Sequence, residues 1–80
     1  MNKTLTELKS GESGIVVACE SGHMMNRRLE TMGIRPGKKI TRISAQFLAG
    51  PVTVSIDGRQ CAMGQGIARK VKVEPGTGNQ

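Results

Sequence analysis

The run Arg28-Leu29-Glu30-Thr31-Met32-Gly33-Ile34-Arg35-Pro36-Gly37 constrains the fold most, because it spells out a helix, its stop and the turn that launches a strand. Met25, Leu29 and Met32 recur at spacings of four and three, which lays one apolar stripe along a helix of about two turns over Met24 to Met32. The opposite face is expected to carry Arg27, Arg28, Glu30 and Thr31. Gly33 stands where a helix end calls for a left-handed residue, and Ile34 follows it, with its expected apolar contact at Leu29. Pro36-Gly37 then makes a turn that cannot continue the helix, and Lys39 to Gln46 reads as a strand. The chain therefore reads as one helix set among extended segments.

Those segments are short. Thr4 to Leu8 has Leu5 and Leu8 at helical spacing and is expected to form at most one turn. Ile15 to Cys19 is β-branched and bounded by Gly14 and Ser21-Gly22, which predicts a central strand buried on both faces. Val52 to Ile56 alternates, and Asp57-Gly58 is a strong two-residue hairpin turn, so Ile56 should face Arg59, Val54 face Cys61, and Val52 face Met63. That register puts Cys61 on the inward face as packing. Gly64-Gln65-Gly66 reads as a turn, and Val71 and Val73 alternate with Lys70 and Lys72 in a last strand. Five short strands with one helix between the first and second define the expected class: all-β with one short helix, closed as a small SH3-like, partly open β-barrel. The domain is expected over residues 1–74, with 75–80 as a disordered tail lacking apolar anchors.

Composition narrows the functional classes. Eighty residues make one small domain, and 36% hydrophobic content with Phe47 as the single aromatic requires an aliphatic core. An enzyme is not expected: the sole histidine has no evident nucleophile and carboxylate companions, and no phosphate-binding glycine loop of P-loop form is present. The longest apolar stretch, Ile15 to Cys19, falls far short of the roughly 20 residues of a membrane span, and no charged-then-apolar leader opens the chain. A cytoplasmic protein is the expectation. Cys19 and Cys61 form no C-x-x-C pair and are expected to stay reduced. Twelve Lys and Arg against six Asp and Glu leave a net charge of +6, which favours an anionic partner. Nucleic acid fits that charge but not the lack of aromatic stacking groups, so it stays a rival reading.

Four stretches together resemble the FeoA family: Leu8-x-x-Gly11-x-x-Gly14-x-Val16; Arg28-Leu29-x-x-Met32-Gly33-Ile34-x-Pro36-Gly37; Gly50-Pro51-Val52-x-Val54-x-Ile56-x-Gly58; and Met63-Gly64 through Ala68 to Val71-x-Val73. The resemblance implies a small cytosolic accessory protein of bacterial ferrous iron uptake. Its implied partner is FeoB, a membrane transporter with a GTP-binding cytosolic domain. A related SH3-like module also ends some iron-dependent repressors, which keeps open a free-standing metal-responsive regulatory module as the alternative.

Two groups of side chains follow as candidates. Cys19, Glu20 and His23 are the metal candidates, weighed against a strand end and loop that need not converge them; no cofactor is expected. Arg27, Arg28 and Arg35 bracket the helix, and Phe47 and Leu48 sit in an unexpectedly apolar loop; these five are the partner-contact candidates. For the arginines the alternatives are a solvated cationic face, salt links from Arg27 or Arg28 to Glu30 or Glu20, or a finger into the partner's nucleotide site. Phe47 suits a plug for the barrel end as well as it suits docking; Leu48 suits docking.

Overall fold

The computed structural model describes residues 2–20, 22–43 and 50–76. Strand β1 (Lys3–Thr4) leads into a 3₁₀ turn (Leu5–Glu7), followed by β2 (Ser13–Cys19), α1 (His23–Thr31), β3 (Lys39–Arg42), β4 (Val52–Ile56), β5 (Arg59–Met63), α2 (Gln65–Ala68) and β6 (Val71–Pro75). The strands form one antiparallel sheet in the order β1-β6-β2-β3-β4-β5, which curls as a partly open barrel around an aliphatic core. Leu5, Leu29, Ile34, Ile40, Ile56 and the valines of β4 and β6 are all but fully buried in it.

Local chemistry explains most of these elements. The hairpin forms with the expected register, Ile56 opposite Arg59, Val54 opposite Cys61 and Val52 opposite Met63. Asp57 and Gly58 both take positive φ, the signature of the two-residue turn whose twist matches its strands. Cys61 is half-buried and packs against the core. The helix ends as a Schellman stop: Ile34 N–H donates to Leu29 O at 2.9 Å and Gly33 N–H to Glu30 O at 3.0 Å, with Gly33 at φ 92°. Pro36-Gly37 turns the chain, closed by Lys38 N–H donating to Arg35 O at 3.2 Å.

The structure corrects four details. β2 begins at Ser13 and is not buried on both faces: Val17 is 41% exposed. A bulge between Val16 and Ala18 against β6 is the reason, because the extra residue turns Val17 outward and brings Cys19 opposite Val71, onto the side that Val16 shares with Val73. At Gly14 the backbones lie so close that a Cβ would stand 2.7 Å from Glu74 O. Gly64-Gln65-Gly66 is not a simple turn: Gln65–Ala68 is a short helix, held by Ala68 in the core and by Gln65 Nε2 donating to Gly50 O at 3.1 Å. The two-residue β1 is an added sixth strand, and Pro75 closes β6 opposite Gly14 rather than opening the tail. The expected end of the strand from Lys39 to Gln46, the loop at Phe47 and Leu48, and the tail from residue 77 lie outside the described residues.

One clamp ties the first turn to the sheet. Arg42 sends its guanidinium Nη1 to three carbonyls, Leu5 O and Thr6 O at 3.2 Å and Leu8 O at 2.9 Å. Leu5 O also accepts the turn-closing bond from Leu8 N–H at 3.3 Å, so the guanidinium adds to the backbone closure of the turn. Beside it, the hydroxyls of Ser13 and Thr41 meet at 2.7 Å across β2 and β3.

Candidate functional site

Helix α1 offers an apolar inner stripe and a charged outer surface. Leu29 is buried, while Met25 and Met32 are half-buried against the core, so the stripe lies where its spacing placed it. Arg27, Arg28 and Arg35 are exposed. Arg28 differs from expectation in one respect: it borders the apolar stripe, lining the same depression as Met25, Leu29 and Met32, instead of standing opposite them. Positions 25, 28, 29 and 32 follow i, i+3, i+4 and i+7, which places all four side chains along one side of a helix.

Among the described residues none of the three arginines forms a salt bridge. The alternative of a link to Glu20 is replaced by another pair, Lys72 Nζ with Glu20 Oε1 at 3.5 Å. The three guanidinium groups therefore keep their charge available to an anionic partner face.

A second cationic patch adjoins Arg35. The β3–β4 register, Thr41 opposite Ser55 and Arg42 opposite Val54, carries the Pro36-Gly37 turn alongside the Asp57-Gly58 turn. Lys38 Nζ meets Asp57 Oδ2 at 2.8 Å. That hydrogen bond is the main reason the Asp57 carboxyl is held below its ordinary range, with the charges of Lys38, Arg59 and Arg35 adding and desolvation opposing. One carboxylate thus lies amid three cations and the patch stays net positive. Lys38, Asp57 and Arg59 were not among the site candidates read from the sequence. Both turns are locally legible, but their adjacency is a product of strand pairing and leaves no local signal.

The metal candidates are not gathered into a site. Cys19 Sγ points toward Ile34 O at 4.0 Å, Glu20 is engaged with Lys72, and His23 is exposed at the start of α1. Among the described residues no three of the His, Cys, Asp and Glu side chains converge as ligands would. Burial pushes the Cys19 thiol pKa up, and the charge of Glu30 adds to the rise, which disfavours the thiolate that binds metals. Phe47 and Leu48 lie outside the described residues.

A partly open antiparallel barrel with one main helix is the architecture of a small SH3-like domain. The FeoA domain family matches residues 3–75, and the chain belongs to that family. It is 41% identical over 66 residues to a Methanocaldococcus jannaschii protein named as a candidate Fe(2+) transport protein A, covering 82% of this chain and 78% of that one. A crystal structure of an iron uptake regulatory protein, FeoA, superposes with a TM-score of 0.83 at 35% identity, over 94% of this chain and 97% of the other. The zinc complex of Stenotrophomonas maltophilia FeoA, described as a prokaryotic SH3 domain protein, shares the fold with a TM-score of 0.77 at 24% identity, over 89% and 88% of the two chains. No described helix is long and apolar enough to cross a membrane.

Proposed function

We propose that this protein is a cytoplasmic, non-catalytic accessory factor of ferrous iron uptake that docks by protein contact on a FeoB-type membrane transporter and modulates its activity or assembly. Family membership over residues 3–75 supports the pathway. The observation that carries the docking mode is the exposed trio Arg27, Arg28 and Arg35, which have no salt-bridge partners among the described residues. Exposed charges of one sign steer association and set orientation, while the affinity comes from apolar contact next to them. Phe47 and Leu48, which lie outside the described residues, are the apolar contact residues expected from the sequence.

Binding of the chain to the transporter in lipid nanodiscs tests the reading. Replacing Arg27, Arg28 and Arg35 together by alanine is expected to weaken binding about ten-fold or more and to flatten its salt dependence. Leu48→Ser is expected to weaken binding at unchanged thermal stability. Binding unaltered by all four substitutions would remove this surface from the function.

A further inference from the structure

A groove opens where α1 meets the corner between β5 and α2. Met25, Leu29 and Met32 form one wall, Met63 and Ile67 form the other, and Arg28 stands at the lip. Its volume is about 240 Å³. That is below the roughly 300–1,000 Å³ of small-molecule pockets, so the groove suits one or two side chains rather than a ligand. Beyond Met25 and Ile67 it widens into an open shelf bordered by Arg69 and Lys70.

The walls and the rim carry different chemistry. Three of the six apolar side chains that line it are methionines, whose unbranched thioethers adapt to varied apolar shapes. Arg28, Arg69 and Lys70 are exposed, form no salt bridge among the described residues, and no carboxylate lines either part of the groove. An apolar slot whose charged rim, among the described residues, is cationic complements an apolar side chain flanked by Asp or Glu. A basic segment would meet like charges, and a second copy of this chain would bring net charge +6 against +6.

We propose that the groove between α1 and the β5–α2 corner is the docking slot for an acidic amphipathic segment of the protein partner, which inserts an apolar anchor between Met25, Met32 and Met63 while its carboxylates meet Arg28, Arg69 and Lys70. This rests on the docking function proposed above and specifies the chemistry of the segment. The arrangement is a helix-in-groove or short-peptide mode, with the anchor supplying affinity and the rim supplying selection.

The methionine methyls provide the test. The full chain, ¹³C-labelled at its methionine methyls, is titrated with the FeoB-type transporter in nanodiscs. The expected result is saturable shifts at Met25, Met32 and Met63. Met24, on the same helix but 81% exposed and outside the groove, should move less. Arg28→Glu combined with Lys70→Glu, both at exposed positions, should keep the free-chain spectrum and weaken binding about a hundred-fold. Binding with the three groove methyls unmoved would overturn the groove and leave docking standing; no binding at all would overturn both. Concentration-dependent shifts of the same methyls in the chain alone would assign the groove to a second copy and overturn the acidic segment.

Discussion

Arg42 fastens the N-terminal turn through one guanidinium nitrogen, Nη1. Its planar guanidinium reaches the carbonyls of Leu5, Thr6 and Leu8 from β3, more than thirty residues away in sequence. Leu5 and Leu8, which the clamp holds in place, are both buried in the core. Hydrogen bonds from charged donors contribute about 1.5–3 kcal/mol, so Arg42→Met is expected to lower stability by about that amount in urea unfolding. Arg42→Lys is expected to recover only part of it. An unchanged unfolding midpoint for Arg42→Met would show that the turn is held by Leu5 and Leu8 alone. The role was invisible in the sequence because Arg42 reads simply as one residue of a strand, and its partners are backbone atoms of a distant segment. Arg27, Arg28 and Arg35 were legible for the opposite reason: they bracket a helix whose apolar stripe is written in its own spacing, so their exposure followed.

At the scale of elements, legibility tracked the range of the interactions. The Asp57-Gly58 hairpin and the Gly33 stop are decided by two or three consecutive residues, and both form as read. Gly33→Ala places a side chain at φ 92° and a Cβ 3.1 Å from Ile56 Cγ2, so a loss of about 1–2 kcal/mol is expected in thermal or urea unfolding. The bulge at Val17 and the helix α2 were not legible. A bulge arises from the pairing of two strands, and α2 holds a glycine in a four-residue helix that Ala68 burial, Ile67 packing and the Gln65–Gly50 bond help to sustain. The groove was missed with them, since α2 forms part of one wall.

The contact between the two turns carries a pH signature. Asp57 has its pKa lowered in the folded state, chiefly by Lys38, so its contribution to stability is complete above the ordinary carboxylate range and is lost as pH falls through the depressed folded value. Glu12, lowered mainly by the Lys9 backbone N–H, acts in the same direction. Asp57→Asn preserves a favoured turn sequence, since Asn-Gly also forms this turn, but removes the titrating group. The loss of stability between pH 7 and about pH 3 is therefore expected to be smaller in the variant than in the parent. Equal pH dependence of the two urea midpoints would mean that the Lys38–Asp57 pair contributes nothing to the fold.

For the molecule as a whole, an aliphatic core in a barrel of six short strands leaves little interior beyond packing, and a net charge of +6 is spread over its surface. Fold and family were legible from glycine, proline and apolar positions that serve packing and turns. The proposed docking surface was legible only in part, because it joins α1 to turns and a second helix that come together through sheet pairing. Docking through this surface is the central claim, and the amide chemical shifts of the labelled chain test it most directly. Titrated with the cytosolic GTP-binding domain of the FeoB-type transporter, in GDP and in a GTP analogue, the chain is expected to show saturable shifts confined to Met25 through Arg35, to residues 47–50 and to Met63 through Lys70. Unchanged spectra at saturating domain concentration, or shifts confined to the opposite side of the barrel around β1 and β6, would contradict the account.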